Sequence, residues 1–190
     1  AIIPYYNIRH NIKPGLSGWA QTHHDAHPHH GSDPKETRVK LSYDIFYLKN
    51  QSLLLDLNIG DEVIVPANTY IATILSIIQA DLVPVLVEPK LETYTINPNL
   101  IAEKITNKTR SILAVNLYGQ LAELDLINEI ANQYNLIVVE DSAQSHGAIL
   151  NNRKSKNTQA FSFYPGKNLG ACGEAGGLTT NNETYKNKLF

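Results

Sequence analysis

One cysteine, one tryptophan, four phenylalanines and no methionine stand in a chain of 190 residues, and the scarcities are informative. A single thiol, Cys172, rules out an internal disulfide framework and a cysteine-rich zinc module, and it fits a reducing compartment. No apolar run approaches the roughly 20 residues that cross a bilayer. The longest helical one, Ile71 to Ala80, is interrupted by Thr73, Ser76 and Gln79. Nothing at the amino terminus reads as a signal peptide. An excess of charge of either sign is also missing: sixteen Lys plus Arg against eighteen Asp plus Glu give a net charge of −2, so no global basic field recruits nucleic acid. The chain opens on Ala1 and closes at Tyr185 to Phe190 inside a continuing amphipathic pattern, so the sequence reads as a fragment of something longer.

What is present is an ordinary globular composition, 43% hydrophobic and 18% charged, long enough for one domain and a small piece. Texture changes near Leu57 to Gly60, dividing the chain into residues 1–57 and 58–190. The first part is loop-like and histidine-rich, punctuated by Pro4, Pro14, Gly15, Gly18, Pro28, Gly31 and Pro34 before one apolar stretch, Leu41 to Leu57. The second alternates short β-branched runs with helical patterns, the signature of βαβ units and a mainly parallel sheet. Strands are expected at Glu62 to Val65, Leu82 to Val87, Ser111 to Leu117, Leu136 to Glu140, Ala160 to Tyr164 and Leu178 to Thr180, with Pro84 pushing the second toward a sheet edge. Asn68 or Thr69 is expected to cap a helix whose core face is Ile71, Ile74, Leu75 and Ile78. Asn97-Pro98 opens a short helix through Ile105. Leu124 to Tyr134 is helical, with Leu124, Ile127, Ile130, Ala131 and Tyr134 inward.

In an open α/β sheet the ligand lies beyond the carboxyl ends of the strands, so polar residues that follow an apolar strand are candidates for chemistry. Asp141 follows Leu136-Ile-Val-Val-Glu140, and alone it would read as a cap or a solvated strand end. Lys167 lies 26 residues later in Ser162-Phe-Tyr-Pro-Gly-Lys-Asn-Leu-Gly170, a strand running into a Pro-Gly turn, and alone it would read as a surface charge. Together with a nearby hydroxyl they supply what pyridoxal 5'-phosphate (PLP) chemistry requires. An amine binds the aldehyde, a carboxylate keeps the ring nitrogen protonated, and hydroxyl and backbone N–H groups hold the phosphate.

Residues from about Gly60 to Phe190 resemble the DegT/DnrJ/EryC1/StrS family of sugar-nucleotide aminotransferases. The resemblance runs through Gly60-Asp-Glu-Val-Ile-Val-Pro66, Val115-Asn-Leu-Tyr-Gly-Gln120, Val139-Glu-Asp-Ser-Ala-Gln-Ser-His-Gly-Ala148 and Phe161-Ser-Phe-Tyr-Pro-Gly-Lys-Asn-Leu-Gly170. It implies an α/β fold, part of the large domain of a type I PLP-dependent transferase, with a mainly parallel sheet and helices on both faces behind an irregular N-terminal segment. It implies Lys167 as the lysine that binds the cofactor covalently and moves protons, Asp141 as the partner of the pyridinium nitrogen and Gln144 as a residue over the ring. Ser162 is implied as a phosphate ligand and Tyr70 as the aromatic that stacks on the ring. His146 shares the third motif but reads as a structural histidine. A related subgroup of sugar dehydratases carries His where Lys167 stands, so Lys167 argues for amino transfer. The implied partners are a nucleotide-linked keto sugar, an amino donor, usually glutamate, and a second copy of the chain in a homodimer. A turn with Gly and Ser/Thr that precedes the first motif in the family is replaced here by unrelated residues, and the family's carboxy-terminal half is absent, so weak PLP binding and an exposed apolar sheet surface are expected.

The first part has its own resemblance. Arg9-His-Asn-Ile-Lys-Pro-Gly-Leu-Ser-Gly-Trp-Ala-Gln21 and Tyr43-Asp-Ile-Phe-Tyr-Leu-Lys-Asn-Gln-Ser-Leu-Leu-Leu-Asp-Leu57 look like the carboxy-terminal end of bacterial sugar transferases, which move a sugar phosphate onto polyprenyl phosphate at the membrane. No catalytic residue carries over; Arg9 is at most a phosphate contact and Trp19 a packing anchor. Five of the seven histidines, His23, His24, His27, His29 and His30, fall within eight residues around Pro28 and read as a solvated, adventitiously chelating loop rather than a built metal site. Both resemblances point to bacterial surface polysaccharide or glycoconjugate assembly, in the cytoplasm or at the inner face of its membrane, with peripheral association through the N-terminal segment. Three readings follow: an aminotransferase impaired by truncation, a sugar-phosphate transferase, and a catalytically inert fusion. PLP binding marks the first, membrane partitioning the second, and neither the third.

Overall fold

A computed structural model describes residues 56–149, 154–164, 166–172 and 175–189, and the expectations for Arg9, Trp19 and the histidine tract lie outside them. Short β-branched runs form six strands: β1 Glu62–Pro66, β2 Val83–Val87, β3 Thr109–Val115, β4 Ile137–Asp141, β5 Thr158–Ser162 and β6 Gly176–Thr179. They join in one sheet in the order β2-β1-β3-β4-β5-β6. Neighbours are parallel from β2 to β5, and β6 runs antiparallel to β5. After β1 the chain goes outward to β2 and then returns to the other side of β1 as β3. The order therefore reverses between β1 and β3, which is where a crevice opens at the carboxyl ends of an α/β sheet.

Two helices cover opposite faces. Helix α1, Ile71–Gln79, sets Ile77 on a cluster of Val63, Val65 and Leu82, with Ile74 and Leu113 beside it. Helix α2, Leu124–Tyr134, sets Leu124, Ile127 and Ala131 on Ile64, Ile112, Ala114, Val87 and Ile96. Alternating residues of β1 and β3 serve the two clusters, as the two-residue period of a strand requires. A third helix, α3, Glu183–Leu189, follows β6.

The α/β architecture agrees with the sequence reading, and its differences have local causes. Pro84 does sit in an edge strand, since β2 pairs only with β1. Helix α1 is rotated from its expected face: it buries Thr73 and Ile77, while Ile71 is 52% and Ile78 49% exposed. Neither expected cap closes it. The N-cap is Tyr70 with no side-chain bond; Asn68 Nδ2 donates instead to Tyr94 O at 2.9 Å, and the Thr69 hydroxyl donates to Thr73 Oγ1 at 2.9 Å. After Asn97, whose Oδ1 accepts from Asn99 N at 3.1 Å, the expected short helix is two 3-10 turns, Pro98–Leu100 and Ala102–Lys104. Tyr134, expected inward, is exposed because α2 ends there, its chain reversed by the left-handed Asn135. Strand β5 begins two residues before its expected start, at Thr158, because Thr158 pairs with Val139 of β4, and β6 begins at Gly176 rather than Leu178 because its antiparallel pairing with β5 extends to Ser162 with Gly176.

The interior is not all apolar. Glu140 is completely buried near the end of β4. Its carboxylate accepts from Asn116 Nδ2 at 2.6 Å, from Gln159 Nε2 at 3.1 Å and from the Ser155 hydroxyl. Asn116 turns its Oδ1 to accept from Ala122 N at 2.9 Å, so the network ties β3, β4, β5 and the entry to α2 together. Buried polar groups are tolerated when their bonds are complete and are costly when one partner is removed. Glu140→Ala, which leaves these donors without their acceptor, is expected to lower the unfolding free energy by about 3 kcal/mol in urea titration. Ile112→Ala, at the centre of the sheet, is expected to cost about 3 kcal/mol, against less than about 0.5 kcal/mol for the exposed Leu126→Ala.

Candidate functional site

The carboxyl ends of β1, β3, β4 and β5 form one rim. Strand register decides which side chains meet there. Asp141, the last residue of β4, lies beside Val115 of β3 and Ala160 of β5. Residues aligned across a parallel sheet share a face, so Asp141 shares its face with Val139, Leu113 and α1, and Ser162, two residues beyond Ala160, lies on that face too. Glu140 points the other way.

Asp141 is held from two elements. Thr73 Oγ1 donates to its Oδ2 at 2.8 Å, and Ala143 N donates to its Oδ1 at 3.0 Å. Each oxygen accepts one hydrogen bond and keeps a lone pair for a further donor. Gln144 follows in the turn after β4. It is exposed, and its Oε1 accepts from Tyr118 N at 3.3 Å, linking the β3 and β4 loops.

Ser162 is fully buried at the end of β5, where its hydroxyl accepts from Tyr164 N at 3.4 Å. Lys167 lies in the connection between β5 and β6. Lys167 N donates to Tyr164 O at 2.8 Å, closing a turn that leaves its side chain half-buried. Phe163 frames that connection, donating from its N to Ala175 O and accepting at its O from Ala171 N, both at 2.8 Å. Tyr70, at the start of α1, is 56% exposed on the same rim, so it is not a core helix residue.

His146 has a structural environment. Its Nε2 pairs with Ser162 O at 2.7 Å, and its ring lies 5.7 Å from Phe161 and 5.5 Å from Phe163 between centroids. Two backbone outliers sit on the rim as well. Tyr94 and Tyr118 adopt left-handed conformations and meet edge to face at 6.2 Å. No helix among the described residues is long and apolar enough to cross a membrane.

The structure thus carries all five residues singled out from the sequence, Tyr70, Asp141, Gln144, Ser162 and Lys167, on loops and strand ends at one edge of the sheet. It adds Thr73, which no motif marked because a threonine one turn into an apolar helix resembles a packing residue. Chemically the rim offers a pinned carboxylate, a primary amine on a closed turn, a buried hydroxyl and an exposed aromatic ring.

Comparison with known proteins places the fold in a family. Residues 1–65 match the bacterial sugar transferase family, and residues 48–190 match the DegT/DnrJ/EryC1/StrS aminotransferase family. The dTDP-3-amino-3,6-dideoxy-alpha-D-galactopyranose transaminase of Aneurinibacillus thermoaerophilus is 53% identical over 137 residues, covering 70% of this chain and 38% of that protein. The crystal structure of Streptomyces venezuelae DesV in complex with a ketimine intermediate is 40% identical with a TM-score of 0.72, covering 76% of this chain and 40% of that one. Bacillus subtilis NtdA with bound cofactor PMP is 39% identical with a TM-score of 0.68, covering 74% and 32%. The chain spans less than half the length of each of these relatives. With a match over residues 48–190 and the fold and rim described above, the chain belongs to the DegT/DnrJ/EryC1/StrS aminotransferase family.

Proposed function

We propose that residues 58–190 are part of the large domain of a PLP-dependent aminotransferase acting on a nucleotide-linked keto sugar in bacterial surface polysaccharide or glycoconjugate biosynthesis. Residues 1–57 are, in this reading, the carboxy-terminal end of a sugar transferase. The observation that carries the proposal is the Asp141 carboxylate, bonded at both oxygens and on one sheet face with Ser162, with Lys167 in the turn that follows. A carboxylate with free lone pairs suits a protonated ring nitrogen, a half-buried amine suits an aldehyde, and a strand-end hydroxyl suits a phosphate. The donor set therefore fits PLP.

When bound, PLP supplies an electron sink for charge developing on the carbon that bears the amino group. Lys167 would hold the cofactor covalently, and its Nζ, when not so bound, would serve as the base and acid that takes a proton from the α-carbon of the amino donor and gives it up again. Asp141 would hold the proton at the ring nitrogen through its free lone pairs. Tyr70 would cover one ring face, Gln144 would lie over the ring, and Ser162 would bind phosphate. Glutamate is the proposed donor, a homodimer the proposed assembly, and the cytoplasm or the inner face of its membrane the proposed location. The match over residues 1–65 favours a second reading, in which membrane-associated sugar-phosphate transfer to polyprenyl phosphate is the relevant identity.

The test is a visible absorbance titration of the chain with PLP, compared with Lys167→Ala. A visible band that borohydride fixes covalently to Lys167, and that the variant loses, is expected. No band, or the same band in the variant, overturns the aminotransferase reading; partitioning onto polyprenyl-phosphate-containing vesicles without PLP binding would then support the second.

A further inference from the structure

We infer that Thr73 is a positioning residue for Asp141, the inner member of a hydroxyl relay that runs from Thr69 through Thr73 to the carboxylate. The inference rests on the proposed PLP site. Its geometry is a chain of three groups. Thr69 Oγ1 donates to Thr73 Oγ1 at 2.9 Å, and Thr73 Oγ1 donates to Asp141 Oδ2 at 2.8 Å. A threonine hydroxyl has one proton, and because Thr73 accepts from Thr69, that proton is directed at the carboxylate.

Three features set this apart from ordinary packing. Thr73 is buried in the first turn of α1 on its sheet-facing side, where an apolar residue would serve the core better and where Ile77, one turn later, does so. A helical threonine that only satisfies itself bonds back to a carbonyl in its own preceding turn; this one reaches an acceptor 68 residues away in sequence. The torsion it restrains is also soft. The χ2 angle of aspartate is broad and roughly two-fold, so the strand end alone does not fix the plane of the carboxylate. Ala143 N fixes one oxygen at 3.0 Å and Thr73 the other, and two donors on two elements leave one orientation.

The relay also sets the start of α1. Tyr70 is the N-cap and has no side-chain cap bond, and Thr69 and Thr73 stand on either side of it. The bonds that orient Asp141 thus anchor the helical turn from which Tyr70 rises. One pair of hydroxyls aligns the proposed partner of the ring nitrogen with the proposed cover of the ring.

The test removes the hydroxyl without removing the shape. Thr73→Val keeps the β-branched volume, and Thr73→Ser keeps the hydroxyl. Amide hydrogen exchange of the cofactor-free chain reads the carboxylate through Ala143, whose N–H bonds to it. In Thr73→Val, exchange at Ala143 is expected to quicken about tenfold while Val139, within β4, keeps its rate; in Thr73→Ser both keep their rates. Unchanged protection at Ala143, or an equal rise at Val139, overturns the inference, because the first shows that the hydroxyl restrains nothing and the second that Thr73 serves only general stability. PLP titrated by visible absorbance gives the second readout, with half-saturation about tenfold higher in Thr73→Val and unaltered in Thr73→Ser. Equal half-saturation in all three chains overturns the role toward the cofactor. A parent chain that takes up no PLP defeats the functional reading, and the exchange result still decides whether Thr73 orients Asp141.

Discussion

Two adjacent carboxylates end β4, and the alternation of a strand sends them to opposite faces of the sheet. Much else depends on that split. Glu140, turned toward the face covered by α2, is taken up by Asn116, Ser155 and Gln159 and becomes an internal fastening between three strands. Asp141, turned toward the face of α1, is left at the rim with lone pairs to spare. Slipping β4 by one residue would exchange the two roles and disable both, since the fastening would face a helix and the free carboxylate would be sealed in the core. The register between β3 and β4, in which Ser111 pairs with Ile137 and Val115 with Asp141, is what prevents this.

Much of this was legible in the sequence, for physical reasons. Strands buried on both faces are continuous β-branched runs, and the Val-Val before Glu140 and the Ile-Val after Val63 read as such. Helix α2 has a strong apolar stripe, and its bounds were read as observed. Asp141 and Lys167 became visible because a charge after a buried strand and an amine on a Pro-Gly turn are individually dull but jointly unusual. Other features were hidden because tertiary partners decide them. The face of α1 is hidden because five of its nine residues are Ile or Leu, spread over nearly every side, and the determinant is the polar Thr73, whose partner lies far along the chain. The cap is hidden for a related reason: Asn68 and Thr69 have capping side chains, but each makes its bond elsewhere. The left-handed Tyr94 and Tyr118 have no composition signal, since such conformations in tyrosine are imposed by their surroundings.

The rim gains coherence from bonds between loops that the strands alone would not join. Asn68 reaches the carbonyl of Tyr94, Gln120 Nε2 reaches the carbonyl of Thr93 at 2.6 Å, and Tyr118 N reaches Gln144. The loops after β1, β2, β3 and β4 are thereby cross-linked in sequence around the switch point. Away from these bonds, Ile71 and Ile78 of α1 and Val83 and Leu86 of the edge strand β2 are each about half exposed among the described residues.

The connection that carries Lys167 has a further meaning in time. It joins antiparallel neighbours, and both ends are clamped on Phe163, so it is a local structure whose closure brings together residues only 8 to 12 apart in the chain. The Asp141 carboxylate, by contrast, is oriented only when α1 docks from 68 residues away. Local contacts form early and long-range parallel pairings late, because loop closure costs entropy before it returns contacts. The amine and the carboxylate of the rim therefore depend on contacts of very different range. The turn bearing Lys167 is closed by neighbours within a dozen residues, whereas the orientation of Asp141 requires the parallel sheet and its first helix together.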